Sequence, residues 1–540
     1  MQLEYYLVLM KIRFLLLFIV VLTLFNCARR GNPTGGPKDE NKPITIKTIP
    51  EFKSINFKEK EIKIYFDEYI KLKDLNKYLV VSPPLKYPAE ISPLGLPSKR
   101  IIIKIKDTLI ENTTYSFNFG ESIVDNNEGN ILTNFKYIFS TGSFIDSLSI
   151  KGKVFDAFNK EDSESVSILL YEANSQFNDS TIYKEKPLYV GNTLKGNTWE
   201  ITNLKAGKYR LVALKEENND FLFNPKTDKI GFIQEDIILP TEKEFLVKIF
   251  NEVVAFKPKK GVEVSKGHLI FGYTGNGDDF NVKVDFKKSK LEQLKHQVFK
   301  DEKTDSIHYF FKADVAIDSL PFILSNKEFT KNEIVKLRLS EIDSLRLSSN
   351  ARGNLNYRDT ITIKANNPLA KLDEKLISLI DKDTVKVPFT LKRKAYRELQ
   401  ILFDRKESQQ YKLTILPSAI SDFFDQENDT LKYSFRTKKK DDYGSVTMEV
   451  MGVKSPMIIQ LINSKKEVIE QQFIKKDSNV AFNLLSPGGY QIRAIYDEND
   501  NAKWDTGNYI MKKQAEKVIY FKGEINVKSN WFVNEKLILE

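Results

Sequence analysis

Glu61 Ile62 Lys63 Ile64 Tyr65 Phe66 sets an apolar side chain at every second position, through Ile62, Ile64 and Phe66. Successive side chains of a strand point to opposite faces, so the stretch reads as a half-buried β-strand and not as a helix. The same alternation returns at Ile101, Ile103 and Ile105, and again at Tyr115, Phe117 and Phe119. A polar turn, Asp125 Asn126 Asn127 Glu128 Gly129 Asn130, then leads to a closing strand over 135–140. Short strands separated by turn signals predict a sandwich of about 100 residues. Period two continues along the chain, bounded by Asn, Asp, Gly and Pro, and the expected fold class is all-β: a tandem series of β-sandwiches.

Upstream of the first strand, Lys11 and Arg13 precede an apolar run from Phe14 to Phe25, which stops at Asn26 and Cys27. That is the pattern of a secretory signal peptide, assigned to residues 1–26. The run falls short of the roughly 20 apolar residues a membrane-spanning helix needs. Met10, directly before Lys11, makes a better initiator than Met1, because Glu4 and extra apolar bulk would otherwise precede the positive region.

Leu24 Phe25 Asn26 Cys27 resembles a lipobox, in which a signal peptidase cuts before a cysteine whose sulfur carries a diacylglycerol. Asn26 departs from the small residue usual there; the alternative is a Cys27 left in an uncleaved anchor. Cys27 is the chain's only cysteine. It has no disulfide partner, and an unpaired thiol is a liability in an oxidising compartment, which favours acylation. Two or more acyl chains such as palmitate, at about 0.8 kcal/mol per buried CH2, hold a protein stably to a bilayer.

Residues 27–43, rich in Arg, Gly, Asn, Pro and Lys, read as a flexible tether. Its wording, Cys27 Ala28 Arg29 Arg30 Gly31 Asn32 Pro33 Thr34 Gly35 Gly36 Pro37 Lys38 Asp39, is similar to the start of a family of Bacteroidota lipoproteins with an N-terminal Ig-like domain. The resemblance implies an outer-membrane address more than an activity. Ala28 Arg29 Arg30 stand where surface-exported relatives carry an acidic cluster. This favours an anchor facing the periplasm, with the cell surface as the alternative.

The chain has 540 residues, of which 41% are hydrophobic, 12% aromatic and 29% charged. Its length allows three to five domains at about 100–200 residues each. The formal charge of +10 comes from 83 basic residues interleaved with 73 acidic ones. That balance suits solubility and protected strand edges; no nucleic-acid partner is expected of an exported chain.

Ile62 to Asp67, the strand ending at Asn118 and the closing Phe139 Ser140 Thr141 resemble the bacterial Ig-like domain first described in S-layer proteins, here placed at 44–143. In a second module, 146–248, Leu204 Lys205 Ala206 Gly207 Lys208 Tyr209 Arg210 Leu211 is similar to a prealbumin-like or carboxypeptidase-regulatory-like sandwich. The phrase returns as Leu485 Ser486 Pro487 Gly488 Gly489 Tyr490 Gln491 Ile492. Ser418 to Thr437 likewise echoes Glu121 to Thr141. A duplicated pair of sandwiches is expected, with a second Ig-like module at 353–440 and a second prealbumin-like module at 441–540. Between the pairs lies a β-rich middle domain, 249–352, with strands near 281–286 and 308–313 and a helix expected over Lys287–Phe299.

One loop has the pattern of metal chemistry. In Asp497 Glu498 Asn499 Asp500 Asn501 Ala502 Lys503 Trp504 Asp505 Thr506 Gly507 Asn508, oxygen side chains fall at Asp497, Asn499, Asn501 and Asp505, with the Lys503 carbonyl between them. Calcium loops use that spacing, although Ala502 and Asn508 replace the glycine and bidentate glutamate of an EF-hand. The competing reading is a polar hairpin whose Asn and Asp residues cap their own turns. The counterpart in the earlier repeat, Glu216, Asn218, Asp220 and Asn224, carries less of the pattern.

No catalytic set is expected. Gly272 to Gly277 lacks the Lys and Ser or Thr of a phosphate loop, and no G-x-S-x-G elbow occurs. His268, His296 and His308 have no HExxH-like spacing. Asp67 and Glu68 are adjacent on a strand and so face apart. Beyond calcium no cofactor is expected. Two functions stay in view: a non-catalytic envelope lipoprotein whose sandwiches scaffold or bind an envelope protein or glycan, and a carbohydrate-binding or carbohydrate-active accessory.

Overall fold

The alternation at Ile62, Ile64 and Phe66 becomes one face of the long strand Glu61–Leu72, with all three side chains buried. The computed structural model describes residues 39–160, 165–193, 196–289, 291–301, 303–327 and 329–539; the segment expected to be a signal peptide, most of the expected tether and Cys27 lie outside them. The described residues form two compact units, 39–81 with 85–145, and 146 onward with 82–84. No helix among them is long and apolar enough to cross a membrane.

In the first unit the sheet order is Thr45–Ile49, Glu61–Leu72, Ser98–Lys104, Glu90–Ser92, with Ile123–Asp125 also paired to the long strand. Thr114–Asn118 and Lys136–Ser140 pair on the opposing sheet. Ile62, Ile64, Ile101, Ile103, Phe117, Phe119 and Phe139 fill the space between. Each such side chain contributes about 1.5–3 kcal/mol by leaving water. The Tyr115 hydroxyl accepts the Ile110 N–H (2.8 Å), and Thr141 Oγ1 accepts the Thr113 N–H (2.9 Å) while donating to the Ile110 carbonyl (2.7 Å).

The second unit repeats this arrangement 296 residues later. Leu347–Ser349, Ile361–Ala365, Glu398–Phe403 and Phe389–Ala395 follow the same sheet order, and Gln410–Ile415 pairs with Leu431–Thr437. Tyr411 accepts the Lys406 N–H (2.9 Å), and Thr437 Oγ1 accepts the Gln409 N–H (3.1 Å) and donates to the Lys406 carbonyl (2.6 Å). The same pins therefore hold both Ig-like sandwiches. Leu345, Leu347 and Ala351 already belong to the core of the second one, so it starts before residue 353, where a boundary is expected from sequence.

The prealbumin-like modules match as closely. One has sheets Tyr189–Asn192, Ser167–Glu172, Gly207–Lys215, Lys229–Phe232 and Thr198–Leu204, Leu148–Asp156, Glu244–Ile249, the last pair parallel. The other has Val468–Ile474, Met457–Asn463, Gly488–Tyr496, Val518–Tyr520 and Ser478–Leu485, Gly444–Met451, Phe532–Ile538, again ending in a parallel pair. Tyr209 donates to the Lys205 carbonyl (3.0 Å) and Tyr490 to the Ser486 carbonyl (2.7 Å). Each pins the turn that feeds its own strand, as a tyrosine corner does.

The middle sandwich packs Lys257–Pro258, His268–Thr274, Ser306–Lys312 and Lys295–Lys300 over Asn281–Val284, Ser319–Asn326 and Phe329–Lys336. The helix expected over Lys287–Phe299 does not form among the described residues of that stretch, 287–289 and 291–299. Leu291, Leu294 and Val298 imitate helical spacing, but Leu294 enters the sandwich core and Lys295–Lys300 pairs antiparallel with Ser306–Lys312. Strand pairing along a full edge outweighs the local pattern.

Candidate functional site

Asp497 follows the strand Gly488–Tyr496 and is buried, 2% exposed. Its two carboxylate oxygens accept the N–H groups of Asn501 (2.9 Å) and Ala502 (2.8 Å). Asn499 Oδ1 accepts the Asn501 N–H (3.2 Å), and Asn501 Oδ1 accepts the Lys503 N–H (2.8 Å). The side-chain amides of Asn499 and Asn501 both donate to Asp505 Oδ2, the latter at 3.0 Å. Glu516 closes the base of the loop, accepting the N–H groups of Glu498 (2.9 Å) and Asp505 (2.8 Å), and burial raises its pKa above the usual carboxylate range. Asp500 and Ala502 take left-handed backbone at φ 56° and 63°.

Asp497, Asn499, Asn501 and Asp505 thus come together, as the spacing predicts. Their oxygens are turned to the loop's own N–H groups. Among the described residues, no group of three or more His, Cys, Asp or Glu side chains is placed to hold a metal. The earlier loop is organised alike: Glu216 accepts the N–H groups of Asp220 (3.1 Å) and Phe221 (3.0 Å), and Asp220 that of Leu222 (2.9 Å). Burial pushes the Glu216 carboxyl up to about 7.

What the ordered loop presents is the segment after it. Residues 504–514 lie against the first prealbumin-like sandwich, more than 250 positions upstream. Tyr509, 3% exposed, meets Phe232 edge to face (ring centres 5.3 Å, 87°) and its N–H is accepted by Glu252. Thr506 donates to the Asn251 carbonyl (2.5 Å) and Gln514 to that of Phe232 (3.0 Å), while Lys512 pairs with Asp179. A Cβ on Gly507 would stand 2.4 Å from the Phe250 ring, so only glycine permits this approach. Beside it, Trp504 packs on Phe158 (4.6 Å), Arg493 covers the same ring at 4.0 Å, and Tyr520 donates to the Phe158 carbonyl (2.7 Å). The second Ig-like module ties to the last one through Arg358–Glu470 (2.5 Å) and to the middle one through Arg397–Asp301 (2.9 Å). The four sandwiches of this unit close on themselves. Sequence shows the loop but not its target, since no signal in 497–514 names a surface so distant in the chain.

Two of the histidines also meet. His268 Nε2 and His308 Nδ1 are 2.8 Å apart, His308 Nε2 is 3.4 Å from Asp301 Oδ2, and Arg397 holds that same oxygen. Burial above all, with His308 and Arg397 adding to it, depresses His268 to about 3. His268 stacks on Phe310 at 3.9 Å. Only strand register brings these residues together, which spacing motifs do not reveal. His296 stands apart, stacked on Tyr309 and bonded to the Leu294 carbonyl.

Asp67 is exposed and accepts the Ile44 N–H (2.8 Å), while Glu68 shares a hydrogen bond with Asp125 in the polar turn. Gly272 lies within the strand His268–Thr274, and a turn closes at Phe280 N–H to the Gly277 carbonyl (3.1 Å).

Residues 39–141 match the bacterial Ig-like domain family. No curated protein matches the chain. Among solved structures the chain is similar to the S-layer protein SbsC, at 11% identity over 87% of this chain and 67% of that one, TM-score 0.15. It is similar too to SGBP-B of the Bacteroides ovatus mixed-linkage glucan utilization locus, solved with a mixed-linkage heptasaccharide: 10% identity, 71% and 91% covered, TM-score 0.18. Chimeric titin Z1Z2 gives 10% identity, 35% and 97% covered, TM-score 0.17. At TM-scores this low the likenesses carry nothing about arrangement or ligand.

Proposed function

We propose that the chain is a non-catalytic envelope lipoprotein, anchored through acylated Cys27 to the outer membrane and facing the periplasm, whose sandwiches form a scaffold that binds another envelope component. The observation that supports it best is the closure of the second unit. Segment 504–514 clamps the last sandwich onto an earlier one, which turns a string of modules into a braced block and fixes its surfaces relative to one another. The acidic and imidazole groups nearby are engaged in hydrogen bonds that shape turns and strand faces.

Metabolic labelling with palmitate and membrane fractionation of wild type and Cys27→Ser test the anchor. Label in the wild type and its loss, with release into the soluble fraction, in the variant is the expected result; a variant still labelled and membrane-bound would refute it. Protease treatment of whole cells tests the leaflet, with digestion only after outer-membrane permeabilisation expected. A second reading, glycan binding, gains from one feature, the cleft described next.

A further inference from the structure

The middle sandwich and the second Ig-like sandwich meet along the strand Lys295–Lys300, where they frame a cleft of about 720 Å3. That volume lies within the roughly 300–1,000 Å3 of small-molecule sites. Its wall is aromatic. Phe299 from one module stacks on Tyr396 from the other, ring centres 5.1 Å apart and planes 17° from parallel, and Tyr396 is 46% exposed. His308 stacks against Phe299 at 5.4 Å, and the Arg397 guanidinium lies 5.1 Å from the Phe299 ring centre.

This platform is held in place. Arg397 is fixed by Asp301 (2.9 Å), and Asp301 accepts the N–H groups of Lys303 (2.9 Å) and Thr304 (3.0 Å). Preorganisation of this kind lowers the ordering cost of binding. Because the two rings come from different modules, the platform exists only while those modules are docked.

Charge surrounds it. Lys300, Lys303, Lys364, Lys394 and Arg397 line the cleft with two carboxylates, Asp301 and Glu398; Lys300 is paired with Asp278 (3.2 Å), which leaves an excess of two positive charges among the described residues. Lys364 and Lys394 share the single carboxylate of Glu398 (2.9 and 3.7 Å). Among the described residues the Lys303 ammonium has no carboxylate partner. A half-exposed tyrosine inside a ring of lysines serves no core, and stacked aromatics beside unneutralised cations suit a ligand with a flat apolar face and negative charge.

We propose that this cleft binds a short stretch of acidic polysaccharide, a pyranose ring lying on Tyr396, which Phe299 backs, and its uronate carboxylates meeting the lysines. The C–H face of a sugar ring packs on an aromatic π-system. The carboxylates gain from the excess positive charge, and a low-lying cleft focuses that field more than an open surface does. A bare phosphate ion would leave the platform unused. A single-stranded nucleic acid would use both features, but the N-terminal segment predicts export, which makes a glycan the better occupant. The proposal rests on the scaffold reading and names the component held and the place.

Titration calorimetry of the non-lipidated chain from Ala28 to the C-terminus, with galacturonate, mannuronate and glucuronate tetrasaccharides, provides the test. Neutral galactose tetrasaccharide, inorganic phosphate and tetrathymidylate are the comparison arms. At least one acidic tetrasaccharide is expected to bind about tenfold or more tightly than the neutral one, the tenfold step being the effect of about 1.4 kcal/mol, and to weaken as salt rises. Tyr396→Ala should lower that affinity about tenfold, the loss of a stacking contact, and Tyr396→Phe should keep it. Lys303→Ala with Lys394→Ala should weaken binding and flatten its salt dependence. Failure of all three acidic sugars, equal binding of the neutral one, indifference to Tyr396→Ala in a chain that melts as wild type, or equal binding of phosphate or tetrathymidylate overturns the proposal. If Tyr396→Ala melts early, a wild-type affinity in the double lysine variant overturns it instead. Retention of envelope material by the immobilised chain separates the two readings: material held equally by wild type and Tyr396→Ala sinks the cleft alone, and no material held sinks the scaffold.

Discussion

Removing the Tyr509 side chain should open the second unit without unfolding its sandwiches. The ring is buried against Phe232, is covered by the Lys512 ammonium at 3.9 Å, and sits where Gly507 lets the chain approach Phe250. Truncating a buried large aromatic to alanine costs about 3–5 kcal/mol, of which the edge-to-face pair supplies roughly 0.5–1.5 kcal/mol. The remaining clamps are Thr506, Gln514 and Tyr520 on backbone carbonyls, each worth about 0.5–1.5 kcal/mol net, the half-exposed Lys512–Asp179 pair, worth at most about 1 kcal/mol, the Glu252 carboxylate on the Tyr509 N–H, and the Phe158 ring held between Trp504 and Arg493. Tyr509→Ala therefore removes the largest single side-chain contribution to the docking and should loosen it. The last sandwich has its own core, so the loss should register as undocking. Small-angle scattering should show a larger radius of gyration for the variant. The fluorescence of Trp504, which packs on Phe158 at this contact, should shift to the red. Scattering identical to wild type, with no change in emission, would refute the account of 504–514 as the clamp.

Asp497→Ala strips the acceptors from the Asn501 and Ala502 N–H groups and should destabilise the last module by about 1–3 kcal/mol, measured by chemical denaturation. Because the loop's oxygens already serve its own N–H groups, millimolar calcium is expected to leave the melting temperature of the chain unchanged; a clear rise would mean a metal reorganises the loop. Tyr209→Phe and Tyr490→Phe each remove one hydroxyl donor to a backbone carbonyl, and both should cost about 1 kcal/mol; a marked inequality would argue against equivalent roles. His268 is depressed to about 3, below its unfolded value near 6.5, so the unfolded chain binds the proton first as pH falls. The middle module should lose stability from about pH 6.5 downward. His268→Phe, which keeps the stack on Phe310, should flatten that limb in pH-dependent melting; facing groups His308, Asp301 and Arg397 stay in place.

Much of the fold is legible because sandwich cores write themselves into alternate residues. Ile62, Ile64 and Phe66, or Ile101 and Ile103, can point inward together only on a strand, and the structure buries them all. The duplication is legible through Tyr209 and Tyr490, since the corner each forms with a carbonyl four residues back is a local device. The stretch Lys287–Phe299 misleads because Leu291, Leu294 and Val298 sit three and four apart, and what decides their state is a partner strand at Ser306–Lys312. The candidate loop was half legible. Asp497, Asn499, Asn501 and Asp505 do converge, but a spacing that suits a cation suits backbone N–H groups equally well. Its role as a clamp depends on Phe232, Phe250 and Glu252, and nothing within the loop encodes that distant face. The His268–His308 contact and the Phe299–Tyr396 platform fall in the same class, being products of register and module docking.

The clamp also sets an order of events during synthesis. Phe232 and Phe250 leave the ribosome about 260 residues before Gly507 and Tyr509 exist, an interval of roughly 13–50 s at about 5–20 residues per second. Throughout it the first prealbumin-like sandwich is folded or folding with the face it will later bury still wet. Exposed aromatic surface at that stage attracts wrong partners, including the same face on a neighbouring chain. The nascent protein therefore passes through a period when its surface differs from that of the finished one; truncation anywhere before residue 504 would make that period permanent.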